Sequence, residues 1–321
     1  MANILSPIID AVYKGLPVLY DKWGNLVYRL VEGRKYEGII ESEEVKNIEV
    51  YNFVPVEGFD IVKDKEIIKY EYIEGEKEGV KACVGVDFEN DNIWIDLLKG
   101  HLMVGGASRW GKSNFLNVLI TSIMTNYTPN EVMFIGCDFK KSDIYYFRNF
   151  KHFRGMSYNS KQFKEQIDGV YNEMNNRSKI LEESNCRNVI SYNSKSETKL
   201  SYIIFVIDEL VLLCEDKDCK SKLHSVMCAS ASYGIYFILA SQDFTKDTIG
   251  KCKMNCIQTV GFKTKDKTDS TTLIGEGVNL HEIKNKGECR IDIGGEIVGG
   301  QIFYLNEEEM ENRLKHLRKE G

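Results

Sequence analysis

The sequence predicts an α/β fold. Three observations carry the prediction. From about Lys81 onward, short apolar runs of strand length alternate with longer segments of helical periodicity. A glycine-rich turn ending in Lys112-Ser113 directly follows one apolar run, and another apolar run ends in the acidic pair Asp208-Glu209. Alternation of this kind builds a largely parallel sheet with helices on its faces.

Taken in order, residues 1–80 read as a small, mostly β (α+β) module. A short amphipathic segment, Ile4–Tyr13, precedes strand-like runs at Leu16–Tyr20, Leu26–Val31, Ile48–Val56 and Ile67–Ile73, with Trp23-Gly24-Asn25 as a turn. The α/β domain spans 81–321. Leu102–Val104 is a short strand and Asn114–Met124 a helix, its apolar positions including Phe115, Leu119, Ile120 and Ile123. Val132–Ile135 is a strand. Ser160 caps a helix to Glu182 whose apolar positions Phe163, Ile167, Val170, Tyr171 and Met174 share a face. Tyr202–Ile207 is apolar throughout, as in a strand buried on both sides. Ile235–Ala240 and Ile257–Phe262 are further strands. Glu288–Ile293 and Ile297–Leu305 flank Gly294-Gly295, a hairpin signal. The tail Glu307–Lys319 reads as helix, acidic first and basic last, an order that suits the helix dipole.

Composition excludes several classes. Hydrophobic residues are 43% and charged residues 28% of 321, the balance of an ordinary globular protein. No run approaches the length of a membrane span, and the N-terminus lacks the pattern of a signal peptide. Nine cysteines at irregular spacings, without C-x-x-C, suit reduced thiols in a cytoplasm rather than disulfides or a zinc site. A net charge of −6 argues against a protein that coats nucleic acid, but not against a motor gripping DNA through a few lysines inside a ring.

Gly106-Ala107-Ser108-Arg109-Trp110-Gly111-Lys112-Ser113 fits G-x-x-x-x-G-K-[ST] between a strand and a helix. Such a loop wraps phosphate with backbone N–H groups at a helix N-terminus. Lys112 is then expected at the β- and γ-phosphates of ATP and the Ser113 hydroxyl on Mg²⁺, with Asn114 completing the nucleotide-binding set. Asp208 at the end of its apolar strand is the expected Mg²⁺ carboxylate, and Glu209 the base that polarises the attacking water. Ile235–Ala240 ends in Ser241-Gln242, and two readings of Gln242 stay open: a sensor of the γ-phosphate, or a strand-end amide bonded to backbone.

Beyond these motifs the chain resembles the FtsK/SpoIIIE motor domain, from about Val84 to Leu305. Val84-Gly85-Val86-Asp87, Ile95-Asp96-Leu97 and His101–Gly106 are similar to that family's lead-in to the P-loop. Cys137-Asp138-Phe139-Lys140 sits where the family has Asp-Pro-Lys. Glu173-Met174-Asn175-Asn176-Arg177 and Cys186–Asn193 resemble its E-M-x-x-R and R-N-x-x-x-Y-N stretches. Leu239-Ala240-Ser241-Gln242 resembles its A-T-Q, in which the glutamine is the sensor, and Lys286-Gly287-Glu288-Cys289 its G-x-G-x-x-L region. The resemblance implies a RecA-like P-loop NTPase using ATP and Mg²⁺, a homo-hexamer, and double-stranded DNA as sequence-independent partner. A translocase of this kind acts in DNA transfer, segregation or replication.

The departures are informative. Arg109 and Trp110 replace small residues of the family's P-loop and are expected to fold over the nucleotide or alter its exchange. Ala229–Gly234 lacks a customary arginine, and Thr271 stands where another is usual, leaving Lys263, Arg148 and Arg154 as candidates for a trans-acting cation. Phe244-Thr245-Lys246-Asp247 and Gly261–Lys267 are candidate pore segments. The sequence carries neither the membrane anchor nor the winged-helix module of chromosome-segregating members, which suggests a plasmid, phage or conjugative-element relative. The alternatives are a conjugative coupling or protein-secretion ATPase and a nucleotide-gated adaptor with little turnover.

Overall fold

The apolar run Tyr202–Ile207 forms a strand whose alternate side chains serve two cores, because successive side chains of a strand point to opposite faces. Ile203, Phe205 and Ile207 join one apolar cluster, while Ile204 and Val206 join the other. The same split runs through the strand at Ile235–Ser241. A sheet covered on both faces follows, as the unbroken apolar runs require.

The structure, a computed structural model, describes residues 79–245, 250 and 252–319, with the backbone of three short strands among residues 18–35. The chain divides into two units, Met1–Glu66 and Ile67–Gly321. In the first, Val18–Tyr20, Leu26–Val31 and Arg34–Lys35 pair antiparallel. The second of these strands has the bounds read from sequence, and residues 16–17 of the first expected run lie outside the described residues. Ile4–Tyr13, Trp23–Asn25, Ile48–Val56 and Ile67–Ile73 lie outside the described residues.

In the second unit the order is β1 (Lys81–Asp87), β2 (Asn92–Asp96), β3 (His101–Gly105), α1 (Lys112–Asn126), β4 (Val132–Cys137), β5 (Phe153–Ser157), α2 (Ser160–Glu183) and α3 (Val189–Lys195). There follow β6 (Tyr202–Ile207), α4 (Leu210–Cys214), α5 (Lys217–Ser230), β7 (Ile235–Ser241), β8 (Cys256–Gly261), α6 (Lys267–Ile274), β9 (Glu288–Ile293), β10 (Glu296–Ile302) and α7 (Glu307–Leu314). The ten strands form one sheet in the order β2-β1-β10-β9-β8-β3-β7-β6-β4-β5. From β8 to β5 neighbouring strands run parallel; from β8 to β2 they run antiparallel. Thus β7 lies between the strand before the glycine-rich turn and the strand before Asp208.

The two-residue hairpin between β9 and β10 forms as expected. Gly294 and Gly295 have φ of 69° and 100°, the left-handed conformations that a type I′ turn needs. Helix α1 is buried along Phe115, Leu116, Val118, Leu119, Ile120, Ile123 and Met124, between the sheet and α7. The burial of each such side chain contributes about 1.5–3 kcal/mol.

Two expectations for α2 are corrected. Its N-cap is Asn159, whose side chain accepts from the Gln162 N–H at 3.0 Å, so Ser160 is the first helical residue. Tyr171 is 54% exposed, because it follows Val170 by one residue and so turns about 100° away from the buried stripe. The tail helix is also shorter than expected. It ends at Leu314 and passes through a 3₁₀ turn, Lys315–Leu317, to Arg318, which bridges Phe150.

Candidate functional site

Parallel strands bring their carboxyl ends to one edge, where chain reversals leave backbone N–H groups and side chains free to meet a ligand. The turn from β3 to α1 lies at that edge, as do the ends of β4, β6 and β7. Gly111 has φ 126°, and a Cβ there would meet the Phe262 ring at 3.0 Å and Gly287 Cα at 3.1 Å. Only glycine fits so close an approach. The loop is braced from outside. The Ala107 N–H donates to the Lys263 carbonyl at 2.7 Å and the Gly287 N–H to the Trp110 carbonyl at 3.0 Å. Arg109 occupies the left-handed region at φ 69°.

A cavity of about 390 Å³ opens beside this loop. Ala107, Ser108, Arg109, Gly111, Lys112, Ser113 and Asn114 line it on one side. Gln242 and the β9–β10 region, from Lys286 and Gly287 to Gln301, Ile302 and Tyr304, line the rest. Trp110 is not in its wall. The indole packs, partly buried, against both apolar clusters, with Lys263 Nζ 4.4 Å from its ring, so its side chain lies away from the cavity that its loop borders. Apolar contact of the large ring with the two clusters accounts for that placement.

The expected chemical residues converge. Lys112 is buried and donates through Nζ to Asp208 Oδ1 at 3.0 Å and to the Asp208 carbonyl at 3.1 Å. Burial pushes the Asp208 carboxyl up to about 6; Lys112 opposes this shift and Asp143 adds to it. The Glu209 carboxylate, also buried, pairs with Lys140 Nζ at 3.0 Å through Oε2 and accepts the Gln242 N–H at 3.2 Å through Oε1. Gln242 is therefore at the cavity, and its backbone is bonded to Glu209. Asn114 has both ends of its amide engaged. Nδ2 donates to the Phe303 carbonyl at 2.6 Å and Oδ1 accepts the Leu305 N–H at 3.0 Å. Its side chain thus ties α1 to the strand end behind the cavity.

Sequence reasoning assigned no role to Asp143 or Lys140. The Ser113 hydroxyl donates to Asp143 Oδ2, and Asp143 lies 3.7 Å from Lys112 Nζ. Both residues sit on the loop after β4, anchored by the fully buried Asp138, whose Oδ2 accepts the Ser142 and Tyr145 N–H groups at 2.9 and 3.1 Å. The signal was the charged run Asp138-Phe139-Lys140-Lys141-Ser142-Asp143 at the end of an apolar strand. Ser113, Asp208 and Asp143 offer the hard oxygen donors that Mg²⁺ takes, and Lys112 supplies a cation where phosphate charge would lie, so the residues present fit Mg²⁺ and ATP.

Other candidates separate. Lys263 lies on Trp110 of its own P-loop. Arg148 donates to the Tyr145 carbonyl at 2.9 Å and stacks 3.7 Å from that ring, while Arg154 is exposed. Of the pore candidates, Phe244 is buried in the core, as are Gly261, Phe262 and Thr264; Lys265 and Lys267 are exposed, and 246–247 lie outside the described residues. Arg177 and Asn193 are structural. The Arg177 guanidinium is buried, pairing with Glu173 at 2.7 Å and donating to the Tyr233 carbonyl at 2.8 Å, and Asn193 clamps both backbone groups of Leu200.

Comparison with known proteins agrees with this architecture. The chain is 27% identical over 302 residues to the DNA translocase FtsK of Clostridium acetobutylicum, covering 90% of this chain and 39% of the relative. To the DNA translocase FtsK of Leptospira interrogans it is 28% identical over 260 residues, covering 76% and 27%. It therefore spans about two fifths or less of these relatives. Among solved structures, ATPases 2 and 3 of EssC from Geobacillus thermodenitrificans share the fold with a TM-score of 0.70 at 19% identity, over 78% of this chain and 50% of that one. The pCW3 conjugation coupling protein TcpA, solved with ATPγS, gives a TM-score of 0.66 at 22% identity, over 79% and 75%. The FtsK/SpoIIIE family profile matches residues 65–244, more than half of the chain, and the chain belongs to the FtsK/SpoIIIE family.

Proposed function

We propose that the chain is an ATP-dependent motor that translocates double-stranded DNA, with residues 81–321 as the motor domain and residues 1–80 as a separate small module. The observation that carries the ATP-driven part of this reading is the convergence of Lys112, Ser113, Asp208 and Glu209 on one sheet edge beside a cavity of about 390 Å³, and the FtsK/SpoIIIE family supports DNA as the track. Backbone N–H groups of residues 108–113 bind phosphate, and Lys112 moves from Asp208 to the phosphate oxygens. Ser113 and Asp208 would hold Mg²⁺, which would supply positive charge against that developing on the transferred phosphoryl group. Glu209 orients water and accepts its proton, and Gln242, bonded through its backbone to Glu209, reports on the occupied cavity.

The cytoplasm is the proposed setting, a homo-hexamer the proposed working form, and duplex DNA the proposed track, gripped through its backbone. Among the described residues no helix is long and apolar enough to cross a membrane. The fold shared with TcpA and EssC supports a second reading, a conjugative coupling or protein-secretion ATPase. Steady-state ATP hydrolysis with Mg²⁺, with and without long linear duplex at low and moderate salt, separates the DNA motor from the protein-secretion ATPase. Salt-sensitive stimulation by duplex is the expected result. A flat response in protein that binds ATP and oligomerises contradicts the DNA motor.

A further inference from the structure

We propose that Tyr304 is the base-binding residue of the nucleotide site, its ring stacking on the nucleotide base while residues 108–113 hold the phosphates. The proposal rests on the nucleotide-site reading above and adds to it a receptor for the base. The cavity has two unlike walls. One is the glycine-rich loop with Lys112 and Ser113, which suits anionic phosphate. The other, formed by Lys286, Gly287, Gln301, Ile302 and Tyr304, holds no carboxylate and carries the cavity's one aromatic ring among the described residues. A phosphate chain held at the loop leaves the flat, uncharged base to the opposite wall. Binding pockets pair a few placed polar groups with aromatic surface, and every base has a π-face that an aromatic ring can cover.

The fold fixes the backbone of Tyr304 and leaves its ring open. Phe303 and Leu305 on either side are buried, whereas Tyr304 is 49% exposed. Asn114 grips both neighbours: Nδ2 donates to the Phe303 carbonyl at 2.6 Å and Oδ1 accepts the Leu305 N–H at 3.0 Å. Asn114 directly follows Ser113 in the first turn of α1, so Tyr304 is tied to the end of the helix that faces the phosphates. Gly287, on the same wall, joins that wall to the loop. Its N–H donates to the Trp110 carbonyl at 3.0 Å, and its carbonyl accepts the Ile302 N–H at 2.9 Å. Among the described residues the Tyr304 hydroxyl makes no hydrogen bond and the ring meets no other ring or cation. About half of a large aromatic side chain thus faces water at the cavity, where covering it with a base is favourable.

The test is titration calorimetry of a non-hydrolysable ATP analogue with Mg²⁺ into the full chain. Wild type, Tyr304→Ala, Tyr304→Leu, Tyr304→Phe, Tyr304→Trp and Lys112→Ala are compared, each shown by thermal melting to be folded. Stacking is lost with the ring and kept by another ring. Tyr304→Ala and Tyr304→Leu should therefore weaken binding about tenfold, while Tyr304→Phe and Tyr304→Trp stay within about twofold of wild type. The fluorescence that Tyr304→Trp adds over wild type should be quenched by the analogue at saturation. Wild-type affinity in Tyr304→Ala, a loss in Tyr304→Phe as large as in Tyr304→Ala, or no quenching of the added fluorescence would overturn the proposal. If Lys112→Ala weakens binding in that case, the nucleotide-site reading stands without it. Absence of binding by wild type, or binding that Lys112→Ala leaves unchanged, would overturn the nucleotide-site reading and the proposal with it.

Discussion

Lys112 and Asp208 are both buried, and each is the other's partner, so the resting site stores its charges as an ion pair. Such a pair costs desolvation, which a phosphate and a divalent cation reduce by giving each member a stronger partner. Removing the lysine charge with Lys112→Ala should weaken binding of the Mg²⁺ complex of ATP by about 1.5–3 kcal/mol, measured by titration calorimetry. Gly111→Ala acts by sterics instead. At φ 126°, with the Phe262 ring at 3.0 Å, it should cost about 1–3 kcal/mol of loop strain and abolish nucleotide binding. Thermal melting should show a change small beside the binding loss. At this scale the sequence was legible wherever a residue type is fixed by chemistry, as at Lys112, Ser113, Asp208 and Glu209. It was not legible for Asp143 and Lys140, because their partners lie 30 and 69 residues away and only the fold brings them together.

Elements are joined by polar side chains buried in the apolar layers. Arg177 fastens α2 to the carbonyl of Tyr233 before β7. Arg177→Ala leaves that carbonyl without its donor and opens a cavity, and it should destabilise the fold by about 2–4 kcal/mol in urea unfolding while leaving nucleotide contacts in place. His101 at the start of β3 is held neutral. Its Nδ1 accepts the Phe237 N–H at 3.1 Å and its Nε2 bonds the Met227 carbonyl at 2.9 Å. Burial lowers its pKa from the ordinary histidine value. For a group lowered in this way, the unfolded chain takes up the proton first, so the stabilisation is full above about 6.5 and is lost as pH falls through that value. Any loss of stability between pH 7.5 and 5.5, read by unfolding, should be larger in wild type than in His101→Gln; Asp208, raised by burial, acts in the opposite direction in both proteins and cancels in that comparison. The strands and α1 were legible as apolar runs and periodicity. The Asn159 cap was misread by one residue, because Asn and Ser are both good caps and only the backbone chooses between them. The wall at Gln301 and Tyr304 was not assigned to the site, since its role depends on the antiparallel extension of the sheet beyond β8.

The whole molecule carries a net charge of −6, so any hold on duplex must come from local cations such as Lys265 and Lys267 rather than from overall attraction. Phosphate contacts release counterions, and duplex-stimulated turnover should therefore fall steeply between about 50 and 200 mM salt. The central claim is that the cavity beside residues 106–113 binds ATP and that Glu209 fires it. Its most direct test measures ATP binding and ATP hydrolysis on the same preparations of wild type and Glu209→Gln, with Mg²⁺ present. The account predicts that Glu209→Gln binds ATP at least as tightly as wild type but hydrolyses it at least about a hundredfold more slowly. Hydrolysis at the wild-type rate by Glu209→Gln would contradict it.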